Sequence, residues 1–100
     1  MEYGAKVVLD MLSNRTWQIG NRNTDGGEIF LTLCELLGSN SSSVDRLTKL
    51  MNVNSMDLLR FLNRLELLGA LKQDSLGDYT LAAVGTQMYK RLIRERELDV

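Results

Sequence analysis

Between residues 44 and 69 the apolar positions recur at a helical period, pause, and recur again. Val44, Leu47 and Met51 sit at i, i+3 and i+7, the spacing of one helix face. A tight turn follows, with Val53 as an apolar residue inside it. Asn54 or Ser55 can cap the next helix, because a short polar side chain there accepts a bond from a free backbone N–H. Leu58, Phe61, Leu62 and Leu65 make the second stripe, and Gly69 closes it as a residue free to adopt positive φ. At ~100° per residue, Leu58, Leu62 and Leu65 face inward with Phe61 beside them. Met56, Arg60, Asn63, Arg64 and Leu67 fall on the opposite side. A helix held by a partner in this way, with a polar and partly basic outer face, suits a DNA major groove. The plainer reading is that any helical hairpin has two such faces.

The same pattern orders the rest of the chain. Residues 3–12 predict a helix with Tyr3, Val7, Val8, Leu9, Met11 and Leu12 covering most of its circumference and Lys6 and Asp10 marking a narrow polar side. So apolar a helix is normally covered on more than one side, either within its own domain or by a second subunit. Residues 13–27 read as a connection in which Trp17 and Ile19 alternate with Thr16 and Gln18, allowing a short extended piece. Arg15 and Arg22 give it positive charge, and Trp17 reads as a packing anchor rather than a base-stacking residue. Residues 28–37 predict a buried central helix whose only polar positions, Glu28, Thr32 and Glu35, share one arc. Asp25, three residues before Glu28, has the form of a helix start. In the polar loop 38–43, Ser42 or Ser43 caps the helix that begins at Val44. Residues 70–73 and 79–81 flank a glycine-, aspartate- and serine-containing loop and read as a hairpin. Residues 83 to about 97 predict a last helix, with Val84, Met88, Tyr89, Leu92 and Ile93 apolar and Lys90, Arg91, Arg94 and Arg96 basic.

Composition narrows the function. The chain has 100 residues, 44% hydrophobic and 25% charged, which suits one small domain with an ordered core. The net charge of −1 does not advertise nucleic acid, so any phosphate-binding surface has to be local. There is no histidine and one cysteine, so neither an intramolecular disulfide nor a zinc site of the usual Cys/His kind is expected. Cys34 reads as a small core residue, since a nucleophile would have no histidine to serve it. With no phosphate-cradling glycine loop and no metal-ligand cluster, an enzyme is not expected, nor is a cofactor. No signal pattern and no apolar run of membrane-spanning length is present, so an intracellular, cytoplasmic protein is expected.

The order helix, helix–turn–helix, two-stranded hairpin, helix resembles a winged helix–turn–helix domain. The resemblance covers residues 28–93 and is carried by two segments. The first is N-V-N-S-M-D-L-L-R-F-L-N-R-L-E-L-L-G-A-L, residues 52–71; the second is Y-T-L-A-A-V-G-T-Q-M, residues 79–88, similar to the family's tyrosine–x–leucine–threonine–x–x–glycine ending. Ala82 stands where that ending has threonine. Within the family, the chain is most similar to small archaeal winged-helix proteins that bind DNA as homodimers, a likeness supported by Phe61 before Leu62. The expected fold is therefore mainly α with a small β-hairpin, α+β in class. It would be a winged helix–turn–helix with an extra N-terminal helix and a C-terminal helix. Residues 1–27 would be the N-terminal helix and connecting loop, and residues 28–100 the winged domain.

What the resemblance implies is a DNA-binding transcriptional regulator, with residues 54–68 as recognition helix. It implies a homodimer formed through the last helix, residues 83–97, with or without the first. Asn54, Ser55, Met56, Leu59, Arg60, Asn63 and Arg64 would occupy or border the groove-facing side. Arg can make two bonds to guanine and Asn two to adenine. Ser43, Arg46 and Lys49 would hold phosphates, and Lys72 and Gln73 would lie at the base of the wing. The alternative is a winged-helix protein–protein interaction module, with Met56, Leu59 and Leu67 as a partner-binding patch. Three features favour it. Met56 and Leu59 stand where polar residues are more usual, the wing carries Asp74 and Asp78, and residues 44–66 hold four basic against three acidic side chains.

Overall fold

The computed structural model describes residues 4–13, 16–19, 22–38 and 40–98. In chain order these form α1 (Ala5–Ser13), β1 (Thr16–Ile19), β2 (Arg22–Asp25), α2 (Gly26–Leu37), α3 (Val44–Met51), α4 (Ser55–Leu67), β3 (Leu71–Gln73), β4 (Tyr79–Leu81) and α5 (Ala83–Leu98). The fold is mainly helical, with two small two-stranded antiparallel sheets, and so belongs to the α+β class. No helix of the described residues is long and apolar enough to cross a membrane.

Short-range chemistry sets the helix starts. Asp25 accepts from the Gly27 amide at 2.6 Å, Ser43 from Arg46 at 3.2 Å, and Asn54 from Met56 at 2.8 Å and Asp57 at 3.4 Å. Each carboxylate, hydroxyl or amide oxygen thus takes up a donor that the first helical turn leaves free. α3 ends on Asn52 at φ 55°, a left-handed conformation that asparagine tolerates better than a β-branched residue. α4 ends just before Gly69, whose φ is 83°.

One core holds all the helices together. Leu58, Phe61, Leu62 and Leu65 of α4 are fully buried, as are Phe30 and Leu33 of α2, Leu47 of α3 and Val8 of α1. The residues expected on the inner face of α4 are therefore inside, and Met56, Arg60, Asn63, Arg64 and Leu67 are exposed. α2 is the central helix, with only Glu28, Thr32, Glu35 and the edge residue Leu36 short of burial. α1 buries Val8, Leu9 and Leu12 against α2 and α5, whereas Val7 is 47% exposed. Within the chain it is thus covered on one side. Tyr3 and Arg15 lie outside the described residues.

Residues 13–27 are not a plain connection. They contain the β1–β2 hairpin, in register Thr16↔Asp25, Trp17↔Thr24, Gln18↔Asn23 and Ile19↔Arg22. Only one half of it was expected as an extended piece. Trp17 is the packing anchor: its ring meets Phe61 edge-on, centroids 5.0 Å apart at 81°. Such a pair contributes about 0.5–1.5 kcal/mol beyond the area it buries. It ties the N-terminal hairpin to the inner face of α4. Gly26 allows the approach, since a Cβ there would stand 2.8 Å from the indole nitrogen.

A second close approach fixes α5. The carbonyl of Ala70 accepts from the Ala82 amide at 3.0 Å, and a Cβ on Gly85 would run into that same carbonyl oxygen. Backbone cannot move aside as a flexible side chain can. Gly85→Ala should therefore lower stability by about 1–3 kcal/mol through overpacking, several degrees in a thermal melt. An unchanged melt would mean that α5 does not sit so close. Leu62→Ala should cost about 2–5 kcal/mol in chemical denaturation as a buried large-to-small change. A cost near zero would place α4 the other way round.

Candidate nucleic-acid interface

The candidate surface is built on α3, α4 and the β3–β4 hairpin. Three residues, Asn52 to Asn54, join the two helices, and the half-buried Val53 packs its side chain against the core from within that turn. On α3, Arg46 and Lys49 are exposed three residues apart and so share a face. On α4, Met56, Arg60, Asn63 and Leu67 follow at helical spacing and are all exposed, with Arg64 beside them. Of the remaining candidate positions, Asn54, Ser55, Lys72 and Gln73 are exposed, while Ser43 and Leu59 are only half-exposed. Two carry a structural duty as well: the Ser43 and Asn54 side chains are the caps of α3 and α4.

The hairpin pairs Leu71↔Leu81, Lys72↔Thr80 and Gln73↔Tyr79. It has a third partner. Ser42 bridges Tyr79 on the free edge of β4, its amide donating to the Tyr79 carbonyl at 2.9 Å and its carbonyl accepting from the Tyr79 amide at 2.8 Å. The stretch expected as a polar loop before α3 thus supplies one rung of sheet. Both main-chain groups of Ser42 are paired within the sheet, which anchors the hairpin against the start of α3.

The hairpin loop is ordered by Asp74. Its carboxylate accepts from the amides of Leu76 at 2.9 Å and Asp78 at 3.0 Å, while its own amide donates to the Asp78 carbonyl at 2.9 Å. Gly77 supplies the positive φ, 83°, that the turn needs. The Asp74 charge, which in the sequence weighed against a DNA partner, is therefore engaged in holding the turn. The same turn presents Leu76 to solvent, 84% exposed.

Side chains from α4 and the hairpin meet at Tyr79. Gln73 Nε2 donates to Tyr79 Oη at 2.9 Å and to Glu66 Oε1 at 3.4 Å; Tyr79 Oη donates to Asn63 Oδ1 at 3.2 Å. Burial, with the Glu66 carboxylate nearby, raises the tyrosine pKa, so the phenol keeps its proton and remains a donor. Among the candidate residues, Asn63 and Gln73 are thus brought together through Tyr79, which the sequence marked as a strand residue opening the second family-like segment and not as a partner of either. Glu66 entered the sequence reading only as one of the three acidic side chains of residues 44–66.

Chemistry elsewhere is sparse. Cys34 is buried beside a cleft of about 500 Å³ lined by Glu35, Thr80, Thr86 and Tyr89 among others. Burial, reinforced by Glu35, pushes its thiol up to about 12, so it is not an activated nucleophile. Among the described residues no group of His, Cys, Asp or Glu side chains is placed to hold a metal ion. Comparison with known proteins finds no match: no family model, no curated protein and no solved structure is significantly similar to the chain.

A pH prediction follows from Asp74. The backbone donors of Asp78 and then Leu76 hold its carboxyl below the ordinary aspartate value. A lowered folded value means that ionisation stabilises the loop above the unfolded value, near 4. That contribution disappears as pH falls through the lowered folded value. The amide resonances of Leu76 and Asp78 should titrate together, with a midpoint below the ordinary aspartate range. Asp74→Ala should abolish that titration; a wild-type loop with no such midpoint would remove Asp74 from this role.

Proposed function

We propose that the protein is a winged helix–turn–helix DNA-binding regulator acting as a homodimer, with α4 as its recognition helix. The observation that carries the reading is the outer face of α4. Arg60, Asn63 and Arg64 project together from a helix whose inner face is fully buried, next to exposed Arg46 and Lys49 on α3. The hairpin at the far end of α4, edged by the Ser42 rung, supports the wing. In this reading the arginines and Asn63 meet base edges, and Arg46 and Lys49 meet phosphates. The reading extends to a dimer through α1 and α5. Val7 and Met11 lie exposed at i, i+4 on α1, beside α5, where Ile93 is half-exposed. Two recognition helices would then reach successive major grooves about 34 Å apart.

A second reading has its own observation. Met56 is 60% and Leu67 81% exposed at the two ends of the α4 face, and Leu76 stands out on the hairpin loop. Apolar side chains so placed suit a protein partner. In the DNA reading they touch thymine methyl groups or the sugar edge.

Fluorescence anisotropy against random-sequence and genomic duplexes, at two salt concentrations, separates the two. The DNA reading expects salt-dependent binding, with a slope of about −0.9 for each phosphate contact. The double variant Arg60→Ala, Arg64→Ala should lose about 1–3 kcal/mol of binding for each arginine that reads a base, with little change in melting temperature. Binding unaffected by the double change would sink the groove-facing assignment, and no binding at low salt would favour the protein module.

A further inference from the structure

We infer that Glu66, Gln73 and Tyr79 form a one-way hydrogen-bond chain that makes Asn63 a donor, so that the α4 face selects acceptor-rich base edges, guanine rather than adenine. The inference rests on the DNA-binding reading and adds a base preference to it.

The direction of the chain follows from what each group can do. A terminal amide can be turned end for end, and its partners decide which way it sits. An ionised carboxylate only accepts. With Glu66 Oε1 3.4 Å away, Gln73 must turn its NH₂ end toward it, and the same nitrogen then donates to Tyr79 Oη at 2.9 Å. The phenol has a single proton. With its oxygen already accepting from Gln73, that proton goes to Asn63 Oδ1 at 3.2 Å. Asn63 therefore turns its oxygen toward the hairpin and is left with two N–H groups on Nδ2, for which no described residue is an acceptor. Turning the Asn63 amide over would strand the part-buried phenol proton without an acceptor.

The neighbours have the same polarity. Arg60 and Arg64 are donors only, and both are exposed beside Asn63. The fully exposed residues in the middle of the α4 face, Arg60, Asn63 and Arg64, thus all present donors. In the major groove, guanine presents two acceptors, N7 and O6; adenine presents one acceptor and one donor. The two-bond pairing of asparagine with adenine requires its side-chain oxygen, which here faces the phenol. Guanine takes what Asn63 and the arginines offer, and adenine's amino group finds no acceptor.

The test is selection from a randomised duplex pool with wild-type protein and Asn63→Ala, which locates the position Asn63 reads. Competition titrations with each base at that position follow. Wild type should prefer guanine to adenine there by about tenfold. Tyr79→Phe keeps the buried ring but removes the chain's centre, and the ratio should fall several-fold while the salt slope stays. Glu66→Gln, a surface change, should shift the ratio in the same direction. A wild-type preference for adenine, or a ratio that ignores both variants, overturns the inference while leaving DNA binding intact. If no duplex is bound, the DNA reading fails and the base preference with it. The chain itself is then judged by side-chain amide exchange. Slow exchange at Gln73 Nε2 with fast exchange at Asn63 Nδ2 upholds it, and the reverse order refutes it.

Discussion

The burial of one face of α4 is the constraint from which the rest follows. Leu58, Phe61, Leu62 and Leu65 have no exposed surface, and Phe61 is met edge-on by Trp17. Rotating α4 by a single residue, about 100°, would carry Arg60 or Asn63 toward the core and bring a leucine out. Unpaired burial of an arginine costs far more than any contact it would gain. The rotation of the helix is therefore fixed from the inside, and the outward presentation of Arg60, Asn63 and Arg64 is a consequence.

The hairpin is held to the same frame at two points and closed on itself at a third. Ser42 pairs with Tyr79 on one edge, Asp74 closes the loop, and the phenol of Tyr79 reaches across to Asn63. A two-stranded hairpin of three-residue strands has little stability of its own. These ties, together with the buried Leu71 and Tyr79, make it a rigid neighbour of α4. Asp74 shows how a charge can mislead when counted alone. In the total it opposes an anionic partner, yet in the fold it accepts two main-chain donors and makes the turn.

The outer surface of α4 is divided along its length. Met56 lies near its first turn and Leu67 at its last, with Arg60, Asn63 and Arg64 between. A single stripe thus has apolar ends and a middle of hydrogen-bond donors. The two proposed readings draw on different parts of that stripe, the duplex on its middle and the protein partner on its ends. Net charge does not decide between them, because what matters is the local donor pattern and the salt response.

Short-range physics made much of this legible in the chain. Caps depend on a side chain and an amide two or three residues apart, so Asp25 was readable, as was Gly69 at the end of α4, and the other two caps were narrowed to adjacent pairs from which the structure takes Ser43 and Asn54. Periodicity gave the inner stripe, because one helix turn is a local repeat. The strand β2 was missed although Gly20–Asn21, a hairpin-type pair, precedes it; its polar sequence, R-N-T-D, carries no apolar alternation. Other features join residues far apart in sequence: the Ser42 rung on Tyr79, Gly85 lying over the Ala70 carbonyl, Trp17 against Phe61, and Glu66, Gln73 and Tyr79 orienting Asn63. Sequence alone determined which side of α4 is buried. Only the tertiary structure decided what Asn63 can offer, because the direction of a hydrogen bond depends on partners that the chain brings together by folding.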